Sequence, residues 1–249
     1  MARHSRLSRP PIAEALVDFK VSTRRPIDQP MLEPLHRSLG GRYPKIVPKI
    51  AVEAKFHSPK GEAPSVHAGE VHFHGLFFAS ADESRQVQCR IDGFTFNHLK
   101  GYTTAEELFD EAFAAWDEYR SIAGVESVSR IALRYINMLD LPFRHGDPFE
   151  RFLNAPITTP PDASQQVAEF NTRAVLHLPA PEPATAIVGQ RLMHATERST
   201  PFQLDIDVFR EGEFTPDRGT LEPYLRSLRD AKNNLFFSYL TDDALEPYR

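Results

Sequence analysis

The stretch that most constrains the fold is residues 128–142, VSRIALRYINMLDLP. Side chains alternate between the two faces of an extended strand, and both faces of this stretch are largely apolar. That pattern predicts a central strand that is covered on both sides. Arg130 and Arg134 share one face, four residues apart. Because a buried guanidinium is unfavourable unless it is paired, we expect acidic partners on a neighbouring strand.

The first predicted strand, residues 12–22, carries such partners. Glu14 and Asp18 also lie four residues apart on one face. If the two strands run antiparallel side by side, Glu14 would lie opposite Arg134. Asp18 would then lie opposite Arg130, within reach of charge-assisted hydrogen bonds. Two interpretations stay open: the quartet only sets the register between the strands, or the arginines bind a ligand carboxylate or phosphate and the acids lie elsewhere.

The apolar periodicities repeat one order of elements in each half of the chain: a strand, a short helix, three strands and a long helix. Antiparallel strands expose one apolar face, which a long helix from each half would cover. The sequence therefore predicts an α+β fold with two βαβββα-like halves in one mainly antiparallel sheet, the long helices packed on one face. This resembles the TATA-binding-protein-like and helix-grip architectures in form only. We expect residues 1–10 to be a flexible basic arm, 11–124 the first half and 125–249 the second half of a single fused domain.

The boundaries of the predicted elements follow turn residues and changes of period. In the first half the strands are 12–22, 49–57, 70–80 and 85–99, and the short helix is 29–39. In the second half the central strand is followed by helical turns at 147–153, strands at 167–178, 184–195 and 202–210, and a helix at 220–240.

Both long helices show apolar stripes at helical spacing. Thr104 and Glu107 form a capping box at the start of the first, and Gly124 ends it. We expect the largest apolar side chains of the two helices to be buried against the sheet, namely Phe113, Trp116 and Phe236.

The composition excludes several functional classes. The net charge is -5 and the pI about 6.1, which argues against a broad phosphate-binding surface. Cys89 is the only cysteine, so no disulfide framework or cysteine zinc cluster is expected. There is no apolar run near the roughly 18 residues of a membrane helix and no signal-like segment, so we expect a cytoplasmic protein. A nucleic-acid binder would have to use scattered arginines, namely Arg3, Arg6, Arg9, Arg24 and Arg25.

Two histidines, His72 and His74, are the best metal candidates. At positions i and i+2 they would share a strand face and ligate one ion. The alternative is a half-exposed strand face on which histidine is tolerated. Further ligands would come from His57, His67, Glu53 or Glu70. Such a site would favour a metal-dependent hydrolase.

Asp205 and Asp207 also share a strand face, where they would hold a hard cation or do acid/base chemistry. We favour the alternative that they lie on a solvated strand face. Cys89 has no activating neighbour in sequence, and we expect a buried, inert thiol. The chain has no nucleophile elbow, glycine-rich phosphate loop or His-Glu-x-x-His motif.

Three short motifs carry a family resemblance: residues 10–15 (PPIAEA), 93–97 (GFTFN) and 134–137 (RYIN). With the closing helix around 234–241, they resemble a family of uncharacterised, sporadically distributed bacterial and archaeal proteins. The resemblance spans nearly the whole chain and implies no activity, cofactor or catalytic residue. The patchy distribution implies an accessory role, such as defence or mobile-element biology.

These observations favour a non-catalytic binding or protein-interaction module over an enzyme. The sheet face opposite the helices would be the recognition surface, and a protein partner or a second copy would bind there. No cofactor is predicted, and neither a membrane nor a nucleic acid is the expected partner. Five aromatic side chains have a choice of face and would enrich that surface, namely Phe73, Phe77, Phe94, Phe96 and Phe209.

Overall fold

The structure is a computed structural model that describes residues 7–57, 65–142, 147–158, 167–179, 182–193 and 200–249, with the side chains of 52–57 and 65–71 outside the description. Its strands form one antiparallel sheet in the order β2-β3-β4-β5-β1-β6-β9-β8-β7. The strands are β1 (Ile12–Thr23), β2 (Lys45–His57), β3 (Ser65–Ala79), β4 (Arg85–Arg90), β5 (Gly93–His98), β6 (Val125–Leu141), β7 (Phe170–Leu178), β8 (Ala184–Leu192) and β9 (Thr200–Phe214).

Helices pack on one side of this sheet. They are α1 (Gln29–Leu32), α2 (Leu35–Leu39), α3 (Ala105–Ala123), α4 (Arg218–Tyr239) and α5 (Asp242–Leu245), with short 3-10 turns at Phe149–Arg151 and Glu246–Tyr248. The predicted α+β class, with an open antiparallel sheet and long helices on one face, is confirmed. None of the described helices is long and apolar enough to cross a membrane.

The two predicted halves meet at the centre of the sheet, where β1 pairs with β6. Outward from that pair, each half continues with its last strand and then runs back toward its earlier strands, β5 to β2 on one side and β9 to β7 on the other. The shared order fits two similar units, and an internal duplication stays a prediction.

Strand alternation places the core on the helix side. On β1, Ala15, Val17 and Phe19 are fully buried there, whereas Asp18 points to the other face. The long helices cover this layer: the Phe19 ring lies 4.8 Å from that of Trp116. As predicted, the large helix side chains are buried, namely Phe113, Trp116 and Phe236.

α3 begins and ends where predicted, but the Glu107 side chain accepts from Thr103 Oγ1, so only one bond of the predicted capping box is found among the described contacts. The Thr104 side chain accepts a hydrogen bond from the Glu107 amide, which caps the first turn. Gly124 ends the helix with φ 62°, a left-handed conformation that glycine adopts without strain.

The predicted strand 85–99 is wrong in one respect, because it is a hairpin of β4 and β5. The chain bends at residues 91–92, and Arg90 Nε donates to Asp92 Oδ1 across the bend at 3.0 Å. Gly93 then approaches β1 so closely that a Cβ there would lie 2.2 Å from the Phe19 carbonyl oxygen. The first half therefore has four strands after its short helices.

Helices cover only one face of the central strand β6 in the described part of the chain, which corrects the prediction that both faces are covered. Ile131, Leu133 and Tyr135 are fully buried on the helix side. On the other face Met138 is 37% exposed. The apolar run overstated the burial because that face contains the paired arginines described below.

The described end of the predicted arm lies against the C-terminal segment. Arg9 donates its amide to the Tyr248 carbonyl at 3.2 Å, and Ser8 Oγ donates to the Arg249 carbonyl at 2.7 Å. Residues 1–6, and with them Arg3 and Arg6, lie outside the described part.

Candidate functional site

The sheet face away from α3 and α4, here called the open face, contains a polar network made of three groups of contacts: one around Asp18, one between Arg134 and Asp205, and one from Lys49 to Glu14. It crosses the sheet from β2 to β9 and includes both predicted arginines and both predicted acids. The network comprises Glu14, Asp18, Lys49, Gln88, Arg90, Thr95, Asn97, Arg130, Arg134, Asp205 and Asp207.

Asp18 is the centre of the network. Its carboxylate lies 2.9 Å from Arg90 Nη2 and 3.1 Å from Arg130 Nη1, and it accepts a hydrogen bond from Thr95 Oγ1 at 2.7 Å. The three charged side chains are 11–16% exposed. Ion pairs this deep are stable only with good geometry and further hydrogen bonds, which Asp18 has.

Two more ion pairs extend the network onto β9. Arg130 Nη2 donates to Asp207 Oδ2 at 3.0 Å, and its guanidinium lies 4.2 Å from the centre of the Phe209 ring. Arg134 donates two hydrogen bonds to the Asp205 carboxylate, from Nε at 2.8 Å and from Nη2 at 2.5 Å.

The surroundings shift two of these groups. The hydrogen bonds to Asp205 raise the pKa of Arg134, so this guanidinium stays charged. Burial raises the pKa of Asp207 above its ordinary value, while the charges of Arg130 and Arg134 oppose that rise.

The predicted pairing of the two central strands is half correct. β1 and β6 are antiparallel neighbours, but Asp18 lies opposite Ala132, two residues from the predicted register. Asp18 still reaches Arg130 diagonally. The predicted Glu14–Arg134 pair is wrong, because Arg134 binds Asp205.

Glu14 instead begins a chain of amide contacts toward the edge of the sheet. It accepts from Asn97 Nδ2 at 2.5 Å, Gln88 Nε2 donates to Asn97 Oδ1 at 3.4 Å, and Lys49 Nζ donates to Gln88 Oε1 at 2.7 Å. Burial and the charge of Arg90 lower the pKa of Lys49. The second-half arginines therefore depend on second-half acids, apart from the shared Asp18.

The network borders a groove of about 410 Å³ that lies over β7, β8 and β9. Its rim includes Arg173 on β7 and Arg191 on β8, both exposed. Among the described residues, neither of these arginines makes an ion pair or hydrogen bond. The groove is lined by Arg134, Asn171, Thr172, Arg173, Ile187, Gly189, Arg191, Gln203, Asp205 and Asp207.

Gly189 leaves the middle of the groove empty. It lies opposite Asp205 on one side and Arg173 on the other. A Cβ built on Gly189 would lie 3.6 Å from Asp205 Cβ, an ordinary van der Waals distance. Packing therefore does not require glycine here, and the missing side chain adds to the volume of the groove.

The predicted metal pair stays untested. His72 is exposed and His74 partly exposed, with His74 Nε2 4.0 Å from Asp92 Oδ1. The β2–β3 register shifts beside His74, which interrupts the alternation on which the prediction relied. No group of three possible ligands is close together within the described residues. The side chains of the other proposed ligands lie outside that part, namely Glu53, His57, His67 and Glu70.

Burial and ion pairing decide how the remaining predicted site residues are interpreted. Asp205 and Asp207, each 20% exposed, are paired with arginines rather than lying on a solvated face. Cys89 is fully buried, and burial raises the pKa of its thiol, as expected for an inert side chain. Arg24 is paired with Glu126.

The open face is less aromatic than predicted. Phe94 and Phe96 are fully buried in the core, and Phe73 packs against it. Phe77 and Phe209 lie on the open face, opposite Gln88 and Ala132. The face presents charges and amides, so its chemistry suits a polar partner.

Sequence reasoning missed the rim of the groove, Arg173 and Arg191. Alternation along the predicted strands 167–178 and 184–195 gives the relative faces of their side chains. The strand pairing is also needed to show that Arg173 and Arg191 lie on the same face as Asp205. No protein-family model matches the chain, and a comparison with curated proteins finds no match. The family resemblance of the three motifs therefore stays a prediction.

Proposed function

We propose that this chain is a non-catalytic protein-interaction module that binds an extended acidic segment of a partner at the groove. The observation that carries the proposal is the charge pattern of the rim. Arg173 and Arg191 have no ionic partner among the described residues, whereas the acids beside them are already paired with Arg130 and Arg134. An incoming carboxylate would meet two available guanidiniums.

The edge of the sheet supports an extended ligand. Within the described strands, β7 is the last in the order and pairs only with β8. Its nine residues keep a regular register with β8 and contain no proline. The outer backbone groups of such an edge can pair with one more strand, while pockets beside it select side chains.

The two features lie side by side. Arg173 on the edge strand faces the groove, and Val175, 51% exposed, follows on the same face. A strand added next to β7 would send alternate side chains toward this face. Acidic residues at those positions would reach Arg173 and Arg191.

Fluorescence anisotropy tests the proposal with two labelled peptides of equal length, one of alternating glutamate and valine and one of alternating lysine and valine. We expect only the acidic peptide to bind, and the double variant Arg173→Glu/Arg191→Glu to weaken it at least about tenfold. The matched control is Lys20→Glu, which reverses an exposed cation on the open face of β1, away from the groove.

Gly189→Val separates groove binding from general charge attraction, since it fills the groove without changing charge. We expect it to weaken the acidic peptide as well. Equal binding of both peptides, or an undiminished affinity in the double variant, would remove the proposal. Tighter binding of a single-stranded oligonucleotide than of the acidic peptide would favour the nucleic-acid alternative.

A further inference from the structure

A lysine is buried on the helix side of the sheet, and no described residue gives it a partner of opposite charge. Lys232 on α4 is 7% exposed. Its ammonium nitrogen lies 3.8 Å from the centre of the Tyr135 ring on β6. No carboxylate of the described residues forms an ion pair with it, and lysine is rarely buried unless it is paired.

The lysine lines a second cavity, here called the helix-side cavity, of about 430 Å³. It lies between α4, the start of α3 and the start of β1, and is within the size range of small-molecule sites. About half of its lining residues are apolar or aromatic, and the other half are polar or charged. They include Pro10, Pro11, Ile12, Tyr102, Asn137, Phe236 and Phe237.

Two tyrosine hydroxyls accompany the amine. Tyr102 Oη lies 3.0 Å from Tyr135 Oη, and Tyr102 lines the cavity. Burial and the Tyr102 hydroxyl raise the pKa of Tyr135 well above its ordinary value, so the Tyr135 hydroxyl stays protonated. The hydroxyls can therefore pass protons without ionising.

The carboxylates at the cavity mouth are held by arginines. Glu106 lies 2.8 Å from Arg229 Nη1, and Asp230 accepts from Arg229 Nε at 3.0 Å. Burial, with the nearby Arg229 charge, lowers the pKa of Lys232 to about 7. At neutral pH about half of the amine is thus uncharged and able to react as a nucleophile, as in enzymes that use a desolvated lysine.

We propose that Lys232 is the nucleophile of a second site, in which an aldehyde or ketone with an apolar body condenses with the amine to an imine. The Lys232 nitrogen lone pair forms a bond to the carbonyl carbon, and the carbonyl oxygen takes up the proton that nitrogen loses. The carbon–oxygen bond of this carbinolamine then breaks, and the hydroxyl leaves as water with the second nitrogen proton. Tyr102 is placed to shuttle these protons. Hydrolysis by water reverses the step.

Reductive trapping tests this site. Benzaldehyde and sodium cyanoborohydride are added to the full-length protein over a range of pH, and the labelled lysines are located by peptide mass spectrometry. At neutral pH an exposed lysine is less than about one part in a thousand neutral. We expect labelling of Lys232 to exceed that of Lys20 and Lys100 by at least about tenfold, with a half-maximal rate near pH 7.

The groups that face the amine set this pH profile. They are Tyr135 on β6, Tyr102 and Glu106 at the start of α3, and Arg229 and Asp230 on α4, while β1 contributes the apolar Ile12. Tyr102→Phe keeps the amine in place and should slow trapping several-fold without moving the midpoint. Arg37→Glu, at an exposed position of α2 outside both cavities, should leave trapping unchanged.

A second measurement does not depend on the reductant. Benzaldehyde alone should raise the melting temperature of the native protein and not that of Lys232→Met. Labelling spread evenly over exposed lysines, or a Lys232 rate that still climbs without a plateau to pH about 10, would overturn the proposal. An equal thermal shift in Lys232→Met would show binding without imine formation and would also overturn it.

Discussion

The two sides of the sheet differ in the partners that they give to buried cations. On the open face, Arg130 is 15% exposed and meets two carboxylates, Asp18 and Asp207. On the helix side, Lys232 is 7% exposed, and its neighbours are an aromatic ring and another cation, Arg229. The first arrangement keeps each charge neutralised, whereas the second leaves an amine that loses its proton easily.

The difference follows from the geometry of the two kinds of element. Neighbouring strands bring side chains of one face within about 5 Å, so an arginine on β6 can reach acids on both β1 and β9. A helix laid on an apolar sheet presents its buried stripe to side chains that offer no carboxylate. Paired cations stabilise the sheet, and the unpaired one is retained at a cost, which is typical of functional groups.

The largest expected effect is a gain of stability on replacing the unpaired lysine. The ordinary lysine pKa is 10.5 and that of Lys232 is about 7, so between these values the unfolded chain binds a proton that the folded chain does not. Native stability therefore rises with pH over this window. Lys232→Met should gain on the order of 4 kcal/mol at or below pH 7, and the gain should fade toward pH 10.5.

Urea unfolding of the native protein and Lys232→Met at several pH values measures this difference. Groups that titrate identically in both proteins cancel in the comparison. Lys100→Met, at an exposed position, should change stability by less than about 0.5 kcal/mol at every pH. A Lys232→Met protein that is less stable at low pH would show that the ammonium is well solvated or paired.

On the open face, removing the paired cation should have the opposite sign. Arg130→Met leaves Asp207 without its partner, while Asp18 keeps Arg90. We expect a loss of about 2–3 kcal/mol in urea unfolding. Arg24→Met removes a pair whose arginine is 84% exposed, and its loss should be much smaller. Equal losses in the two variants would contradict the difference in burial.

A charge swap tests the partner of Arg134 and has a smaller effect, because this side chain is 41% exposed and partly screened by solvent. Arg134→Glu should lose about 1–2 kcal/mol beside Asp205. Adding Asp205→Arg should restore about 1 kcal/mol, whereas adding Glu14→Arg should restore less. A better rescue by Glu14→Arg in thermal unfolding would support the register predicted from sequence.

The smallest effect concerns the groove floor. Gly189→Val introduces a Cβ at 3.6 Å from its nearest neighbour in a strand, where valine is favoured. We expect the free energy of unfolding in urea to change by less than about 0.5 kcal/mol, with peptide binding weakened. Gly93→Ala is the contrast, because its Cβ would lie 2.2 Å from the Phe19 carbonyl oxygen. A large loss in Gly189→Val would mean that the glycine is structural.

Local patterns in the sequence determined most of the fold. Alternation identified the buried face of β1 and β9, the capping box and Gly124 delimited α3, and the helical stripes predicted which aromatic side chains are buried. These features depend on neighbours a few residues away along the chain. The hairpin within residues 85–99 was missed because it depends on a contact that is distant in sequence. Gly93 lies so close to the Phe19 backbone that a Cβ would clash there.

The sites depended on contacts that no local pattern contains. The spacing of Arg130 and Arg134 predicted that acids must lie nearby, but only the strand order showed that β9 supplies Asp205 and Asp207. Lys232 lies four residues after the buried Leu228 on α4, so the helical period predicts that Lys232 is buried as well. Only the tertiary structure showed that no described carboxylate pairs with Lys232 and that this side chain borders a cavity. The reason is that the residues around a charged group, which come from distant parts of the chain, decide whether it is paired.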